Sequence, residues 1–522
     1  MALILIFLLC ILPRELLDDM VPASPDKEDL YETVEDSIAQ QENLSSVPAR
    51  SYRLLLRMGY DSFPADGVNC RAFTRIRGFT KEREIVLLVD KDRGENNWMD
   101  FIGGGVSLSG EKWRFTAGDF LLSFGRGLIL SAPSARASFQ GNFEREAKSS
   151  LAQTAQENRN LRGIKVSYNF GFFTGTVFGS YTLRDAVLHS DGTVQKITFS
   201  GVHDSASQIN KNQLGQKLVG GMANYQGRVL KLGVAGYGVN FDRPFSPRDT
   251  LGSFYGRTIG GLSLYASYGN NSRYGDIEIA QSFTSNSARA LAGRLGFDTD
   301  KIRVQIRGTI YQSRFFSPAG RIYSLTGRRE HFDLIGNLIY KLKYLQFGLS
   351  GNTQRDYLVD SIPARVNINA VFQNNGIEIQ CLLGRIYRME QERSRRARVE
   401  VSTKWRRARL GLLVEDEYAD YSGGQGLLIS LSSGMKIGNL GTDFAVSRFI
   451  ISGRGVGLTV PEPGAMRIGS SYSSNKSAWR IAIAGYWRHQ KVGRLGIKLG
   501  AVRTEDWKFD LNGQFELEVK CG

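Results

Sequence analysis

One short stretch of the sequence, WRIAIAGYW at residues 479–487, limits the fold more than any other feature of the chain. Successive side chains of a β-strand point to opposite faces, so odd-numbered and even-numbered residues separate. One face of this stretch carries Trp479, Ile481, Ile483, Gly485 and Trp487, and the other carries Arg480 and Arg488. An apolar face with aromatic ends, opposite a charged face, is typical of a strand that crosses a bilayer.

The same alternation recurs along most of the chain after residue 50, for example in residues 302–310 and 396–406. If the charged face of residues 396–406 met hydrocarbon, each cationic side chain would cost roughly 2–4 kcal/mol near the midplane, and together these costs would rival the stability of a domain. We therefore expect the charged faces to line a lumen. The candidate lumen-lining residues on these strands are Arg303, Arg307, Arg396, Arg398, Lys404, Arg406, Arg480 and Arg488.

A closed antiparallel transmembrane β-barrel explains this alternation together with the composition. The chain has 522 residues, 42% of them hydrophobic, and a mean hydropathy of −0.24. It is long for one soluble core and too polar for a bundle of membrane helices. Strands of about ten residues with connections of similar length give roughly 24 strands, within about 20–28. A soluble all-β solenoid or propeller would show a fixed repeat period, which the sequence lacks.

The connections between the strands predict two unlike edges of this barrel. Short turns are expected at Gly227 and at residues 374–376 and 474–477, and long loops at residues 184–215, 241–253 and 315–330. Short turns at one edge and long loops at the other are typical of bacterial outer-membrane barrels. Four tryptophans are candidate membrane-interface aromatics in contact with lipid: Trp405, Trp479, Trp487 and Trp507. Tyr265 and Tyr268, close to strand ends, are expected to join them.

The N-terminal residues differ in composition from the rest. Residues 1–23 contain an apolar run and small residues before a cleavage point after Ala23, as in a signal peptide. Residues 24–50 form an acidic leader in which Leu30, Val34 and Ile38 recur every four residues, a spacing that fits a short helix. Residues 51–522 are assigned to the barrel, so the expected location is the bacterial outer membrane.

The segment AGDFLLSFGRGLIL, residues 117–130, interrupts the alternation. Gly125 and Gly127 flank Arg126 and permit backbone conformations that other residues avoid. The segment is therefore either a tight bend at a strand end or an inward fold that presents Arg126 to the lumen. The polar residues 131–159 that follow are expected to form a long loop or a plug-like excursion.

This segment and the preceding glycines, residues 103–105, resemble the Gly-Asp-aromatic and Phe-Gly-x-Gly-Leu region of bacterial outer-membrane barrels called helix-hairpin-helix-containing proteins, whose N-terminal module is similar to the DNA-uptake protein ComEA. The resemblance implies the same fold and location. Between Ala49 and Tyr52, where that module would lie, this chain enters a strand directly, so the implied DNA binding is not carried over. Arg126 also stands where the pattern has glutamine.

Motifs for catalysis and for metal or cofactor binding are weak in this sequence. The four histidines and the cysteines have no spacing that builds a metal site, so no metal or cofactor is expected. Ser473 with His489 is the best pairing for a lipid hydrolase active at the barrel rim, a third and weaker interpretation. Asp276 and Glu278 share the lumen parity, and either act as acid and base or balance arginines such as Arg289 and Arg294.

The net charge of +16 is spread along the strands rather than concentrated in one patch, so nucleic-acid binding is not supported. A net cationic lumen instead predicts a channel or transport pore for anionic or polar small solutes. The alternative is a structural scaffold without conductance that holds a periplasmic or surface protein partner through its long loops and acidic leader. Neither interpretation requires an enzyme activity.

Overall fold

The structure is a computed structural model. It describes residues 50–61, 70–91, 101–131, 151–152, 160–198, 208–246, 254–269, 272–284, 287–312, 314–320, 331–356, 364–374, 377–387, 394–405, 408–419, 423–453, 456, 458–461, 471–489, 493–504 and 507–521. The predicted signal peptide and acidic leader, residues 1–49, lie outside these ranges, as do residues 132–150 and 153–159 of the predicted excursion.

The described residues form 28 β-strands and one 3-10 turn, Gln208–Asn210. The strands are β1 (Arg50–Asp61), β2 (Cys70–Phe79), β3 (Arg83–Lys91), β4 (Phe101–Ser109), β5 (Trp113–Phe120), β6 (Leu161–Asn169), β7 (Phe173–Arg184), β8 (Ala186–Leu188), β9 (Val194–Ile197), β10 (Leu214–Gln226), β11 (Leu230–Phe245), β12 (Gly256–Gly269), β13 (Arg273–Phe283), β14 (Ala288–Asp298), β15 (Ile302–Tyr311), β16 (His331–Lys341), β17 (Leu345–Asp356), β18 (Ala364–Asn374), β19 (Ile377–Tyr387), β20 (Ser394–Trp405), β21 (Ala408–Ala419), β22 (Gly424–Ile437), β23 (Leu440–Ser452), β24 (Leu458–Pro461), β25 (Ser471–Ser474), β26 (Ala478–His489), β27 (Gly493–Arg503) and β28 (Trp507–Cys521).

Twenty-six of these strands belong to one sheet, and the all-β, antiparallel prediction is confirmed. Neighbours in the sheet are almost always neighbours in sequence, with β7 pairing β10 and β23 pairing β26 where small hairpins intervene. The first strand pairs with the second and also, over its whole length, with the last strand, β28. Each of β1–β7, β10–β23 and β26–β28 therefore pairs with two neighbours.

The connections fall into two groups because antiparallel strands end alternately at opposite edges. At one edge, here the short-turn edge, each of the eleven connections spans two or three residues. At the other, the long-loop edge, twelve connections span three to 40 residues. Residues 374–376 and Gly227 lie at the short-turn edge as expected. Residues 474–477 do not, because β25 ends a long excursion between β23 and β26, so their prediction as a short-edge turn was wrong.

The sheet has an apolar face that is exposed and a polar face on which side chains are mostly buried. On β26 and β27 the exposed apolar side chains include Ile483 at 49% and Leu499 at 52%, whereas Ala482 and Lys498 on the opposite face are at most 2% exposed. The same holds on β13, where Ile277 and Ile279 alternate with buried carboxylates. An exposed apolar surface of this extent needs an apolar environment, since soluble monomers rarely show one.

Two large hydrophobic clusters lie on the polar face, and a small one joins Leu151 to Val86 and Leu88 of β3. The larger cluster joins residues 120–130 and Phe315 and Phe316 to inner side chains of β6–β15. The second large cluster joins Val456 and β24 to β21–β23, β26 and β27. Both large clusters are built by chain that leaves the long-loop edge and folds back over the polar face. Among the described residues there is no helix long and apolar enough to cross a membrane.

The pairing of β1 with β28 predicts a disulfide between cysteines placed directly opposite each other. Leu54 faces Leu517 in the register, so Leu54→Cys with Leu517→Cys, in a chain whose native cysteines are replaced by serine, should oxidise readily. The linked chain is recognised by its altered mobility on a non-reducing denaturing gel.

A matched control moves one partner by one residue. Leu54→Cys with Glu516→Cys places the two sulfur atoms on opposite faces of the sheet, so this pair should remain reduced. Equal cross-linking of both pairs would contradict the register, and failure of both would contradict the pairing itself.

Candidate functional site: a buried arm on the polar face

Residues 121–131, here called the arm, leave β5 and turn onto the polar face instead of forming a loop. The arm is folded on itself by hydrogen bonds from Phe124 N to the Leu130 carbonyl (3.1 Å) and from Gly127 N to the Phe124 carbonyl (2.9 Å). Gly125 and Gly127 have φ of +53° and +82°, which L side chains rarely adopt. The two glycines singled out in the sequence therefore make the inward fold.

Glu278 of β13 anchors the backbone of the arm. Its Oε2 accepts hydrogen bonds from Arg126 N and from Leu128 N (3.3 Å), and its Oε1 accepts one from the Ser263 hydroxyl (2.7 Å). The side chain is fully buried. A buried carboxylate is costly unless several donors stabilise it, and here main-chain donors do so. The arm and this carboxylate thus satisfy each other.

Asp276, two residues along β13 on the same face, holds the side chain of Arg126. Arg126 Nε lies 3.1 Å from Asp276 Oδ1, and Arg294 Nη2 lies 2.7 Å from Asp276 Oδ2. All three side chains are at most 6% exposed. The guanidinium of Arg294 also stacks over the Tyr274 ring at 4.6 Å. One carboxylate therefore bridges an arginine of the arm and an arginine of the sheet.

Apolar and neutral contacts fix the rest of the arm. The Phe124 ring packs edge-on against Tyr265 of β12 with centroids 6.3 Å apart. Ser317, in residues 314–320, donates to the Ile129 carbonyl (3.0 Å) and accepts from the Tyr237 hydroxyl (2.8 Å). Residues 314–320 thus cover the arm and tie it to β11.

Asp119, the last-but-one residue of β5, fixes the point where the arm begins. Its Oδ2 accepts a hydrogen bond from Gly104 N (2.8 Å), and its Oδ1 lies 2.7 Å from Arg162 Nε. Its carbonyl accepts from Ala152 N, at the far side of residues 132–150. The Gly-Asp-aromatic and Phe-Gly-x-Gly-Leu residues that carry the sequence resemblance therefore lie at the two structural supports of the arm.

The other candidate lumen residues lie on the polar face wherever their side chains are described, and several are ion-paired. Arg303 Nη2 lies 2.6 Å from Asp298, and Glu415 of β21 contacts both Arg396 and Arg398. Arg480 is 3% exposed, and Arg307 lies opposite Arg294 in the register. Arg406 and the side chains of Lys404 and Arg488 lie outside the described part of the chain. Ion pairing offsets much of the cationic charge that parity alone suggested.

Two side chains were predicted on the wrong face of the sheet. Arg294 does contact Asp276, but Arg289 lies on the apolar face, because buried Ala288 and Ala290 take the opposite parity. Tyr265 is not an interface aromatic: it shares the polar face with Ser263 and packs on the arm. Both errors arise because the sequence of a single strand does not show which of its two sets of side chains lies on the apolar face of the sheet.

The hydrolase interpretation does not fit the topology. Ser473 lies in β25 at the long-loop edge, whereas His489 is the last residue of β26 at the short-turn edge. A strand of twelve residues separates the two edges by roughly 40 Å, so the pair cannot share a proton. Among the described residues there is also no group of three or more His, Cys, Asp or Glu that could hold a metal ion.

The interface tryptophans lie near both edges. Trp479 and Trp507 are 44% and 45% exposed at the long-loop edge. Trp487 is half-buried on the apolar face near the short-turn edge, and the side chain of Trp405 at that edge lies outside the described residues. Tyr268 is 68% exposed at the short-turn edge, and Trp113 and Tyr168, which were not predicted, add exposed aromatics to that edge.

Some polar-face residues were missed although the sequence held their signal. Glu415 and Glu417 are buried and alternate with Leu412 and Val414 on β21, so the rule applied to Arg396 would have found them. Lys165, which donates to the Leu121 carbonyl of the arm (3.3 Å), alternates with Ile164 and Val166. Asp119 had no such signal, because its role depends on the turn into the arm.

No family model matches the chain, and no curated protein matches it. Among solved structures it is similar to the P pilus usher PapC translocation pore, with 10% identity over 91% of this chain and 99% of that one and a TM-score of 0.43. It is also similar to a mutant of the ferric enterobactin receptor PfeA from Pseudomonas aeruginosa, with 7% identity over 90% and 80% of the two chains and a TM-score of 0.45.

A mutant porin of Rh. blastica is similar over 50% of this chain and 91% of its own, with 11% identity and a TM-score of 0.29. Likenesses of this strength carry no argument about this chain. The functional proposal below therefore depends on the chain's own faces, edges and contacts.

The anchoring role of Glu278 predicts that Glu278→Gln loosens the arm. The neutral amide offers a weaker acceptor to Arg126 N and Leu128 N, and hydrogen bonds to a charged group are each worth about 1.5–3 kcal/mol. A cysteine at the buried position Ile129, in a background without native cysteines, should react about tenfold or more faster with a water-soluble maleimide. Glu400→Gln, which alters a carboxylate paired with Arg398 on β20, outside the cluster that packs on the arm, is the control and should leave the rate unchanged.

The position of Gly125 predicts that Gly125→Ala is more damaging than a comparable substitution elsewhere. A Cβ there would lie 2.8 Å from Glu278 Oε2, whereas at Gly171, with φ of +89°, it would meet nothing within 4 Å. Both alanines incur backbone strain of about 1–2 kcal/mol, but only the first displaces a carboxylate. Gly125→Ala should therefore lower the temperature at which the folded band disappears on a semi-native gel further than Gly171→Ala, and equal shifts would contradict the contact.

Proposed function

We propose that the chain is a bacterial outer-membrane β-barrel that acts as a transport pore for small polar or anionic solutes. The observation that carries the proposal is the two-faced sheet whose first and last strands pair. It supports a closed barrel of 24 strands, β1–β7, β10–β23 and β26–β28, with its apolar face toward lipid. Closure leaves no open strand edge in hydrocarbon, where unpaired backbone groups are costly.

The unequal edges support an orientation. Outer-membrane barrels have short periplasmic turns and longer extracellular loops. The short-turn edge, which carries both ends of the barrel sequence, is then periplasmic, and the arm enters the lumen from the extracellular side. In this proposal the polar face, with its buried and paired charges, is the wall of the pore.

The arm narrows this pore on one side. It and its packing partners cover the polar face from β6 to β15, and the β24 excursion covers β21–β23, β26 and β27. Between them, the polar face of β17–β20 carries no hydrophobic cluster among the residues the structure describes. We therefore place the solute path along β17–β20, past Arg396 and Arg398, whose pairing with Glu415 makes the anion preference modest.

The second candidate is a scaffold without conductance that holds a periplasmic or surface protein partner. The observation that favours it is the amount of chain folded onto the polar face, which would close the lumen if the path along β17–β20 were also filled. The two proposals share the fold and location and differ in whether ions pass.

Conductance in planar bilayers separates the two. We expect the purified protein to give stable channels with a reversal potential on the anion side in a salt gradient. We expect Glu278→Gln combined with Asp276→Asn, which frees both the backbone and the arginine of the arm, to give larger steps. Charge-neutral substitution of Glu82 and Asp300, which are exposed in short turns at the short-turn edge, removes the same charge outside the lumen; it is the matched control and should leave the step size close to that of the wild type.

Two outcomes would contradict the pore. A correctly folded protein that conducts in neither form would favour the scaffold, and co-purification of one protein partner from solubilised membranes would then support it. A protein that does not insert at all, and shows no change in gel mobility on boiling, would contradict the membrane barrel itself.

A further inference from the structure

A row of four residues crosses the apolar face at the long-loop edge with alternating arginine and tryptophan. Arg448 of β23 lies opposite Trp479 of β26, Trp479 lies opposite Arg503 of β27, and Arg503 lies opposite Trp507 of β28. Directly opposite residues of antiparallel strands share a face, so the four side chains form one continuous patch. This patch is here called the Arg-Trp row.

The arginines of the row are held by the aromatic rings. Arg448 Cζ lies 5.0 Å from the Trp479 ring centroid, and Arg503 Cζ lies 5.8 Å from that of Trp507. A guanidinium that stacks with its flat face on a ring keeps its in-plane N–H groups as donors, and this fork matches the oxygens of a phosphate. Trp479 and Trp507 remain 44% and 45% exposed, so the row is open from the outside.

The row lies at the end of an apolar surface on β26–β28, whereas on β23 the same face continues past Arg448 to Ile450, which is 47% exposed. Directly toward the middle of the sheet, on the same face, follow Val446, Ile481, Ala501 and Phe509, and Phe509 is 57% exposed. On the other side, β27 ends at Arg503 and β28 begins at Trp507. In a membrane-spanning barrel this boundary is the level of lipid headgroups, where tryptophan is favoured and arginine can meet phosphate.

We propose that the Arg-Trp row is a binding site for the phosphate of an anionic lipid headgroup in the leaflet at the long-loop edge. The proposal rests on the proposed membrane barrel. The lipid's acyl chains lie along the apolar residues below the row. Its phosphate accepts hydrogen bonds from Arg448 of β23 and Arg503 of β27, which lie in the same row on either side of β26. The rings fix both guanidiniums before the lipid arrives, which lowers the ordering cost of binding.

The acidic residues nearest in sequence are Glu505 and Asp506, in the connection between β27 and β28, which lies outside the described residues. A carboxylate close to Arg503 would compete with a phosphate. Replacing both by glutamine and asparagine is therefore expected to leave lipid binding unchanged or to strengthen it, and a loss of binding in this variant would count against the site.

The test uses the full-length protein in nanodiscs of phosphatidylcholine with a minor fraction of phosphatidylglycerol, followed by native mass spectrometry of the retained lipid. The wild type should retain phosphatidylglycerol in preference to phosphatidylcholine. Arg448→Gln and Arg503→Gln should each weaken this preference about fivefold, as one arginine near a membrane surface does, and the double variant should abolish it. Trp479→Phe should retain more of the preference than Trp479→Leu, because only phenylalanine keeps a ring under Arg448.

Arg289→Gln is the matched control. Arg289 is exposed on the same face and near the same edge but has no tryptophan opposite it, so its removal changes the charge equally and should change the preference less than twofold. Equal losses from Arg289→Gln and Arg503→Gln would overturn the site in favour of general charge attraction. Insertion with no lipid preference at all would overturn the site alone, whereas failure to enter nanodiscs would overturn the membrane barrel.

Discussion

The structure depends on one constraint, the pairing of backbone hydrogen-bond groups in a sheet that exposes its apolar face. A strand in such a sheet cannot leave N–H and C=O groups open at an edge without a large cost in hydrocarbon. The pairing of β1 with β28 runs over all twelve residues of β1, so neither of these two strands is left with an unpaired side along β1.

The same constraint explains why the polar face can hold so many charges. The face opposite the exposed apolar one carries the charged residues, which must be solvated or paired. Asp276 and Glu415 are buried and each lies in ion-pair contact with two arginines, and the buried Glu278 accepts two main-chain hydrogen bonds. Removing one partner of such a group leaves an uncompensated buried charge, which costs more than the pair contributes. The charged pairs therefore specify where the arm lies more than they stabilise the barrel.

Much of the fold could be predicted from the sequence because the alternation has a period of two residues. This period is visible within each strand, whatever its neighbours in the sheet are. Trp479 to Trp487 and Arg396 to Arg406 gave the correct faces wherever side chains are described. Residues 474–477 were assigned to the wrong edge of the sheet, because a short polar stretch has the same composition whether it joins two long strands or ends a longer connection. Arg289 and Tyr265 were assigned to the wrong face because the register with the neighbouring strands, and not the strand's own sequence, fixes which face each residue takes.

The arm shows the limit more sharply. Gly125, Arg126 and Gly127 left both a tight bend and an inward fold open. The structure has the inward fold, and Glu278, which accepts from the backbone N–H of Arg126, lies 152 residues away in the sequence. No local pattern links the two, because a carboxylate that binds main-chain donors looks the same in sequence as one that balances an arginine. Counting cationic residues by their face also overestimated the positive charge of the polar face. The structure places Asp298 and Glu415 in ion pairs with Arg303, Arg396 and Arg398.

The strength of the anchoring has a consequence for how a pore of this kind would conduct. Two hydrogen bonds to the Glu278 carboxylate, at about 1.5–3 kcal/mol each, already disfavour release of the arm by a factor of roughly 10²–10⁴. The ion pair between Arg126 and Asp276 adds to this. Thermal displacement of the arm would then be rare, so in the proposed pore the solutes pass beside the arm. In that proposal the uncovered residues of β17–β20 line the path, and the arm occupies space on the polar face of β6–β15.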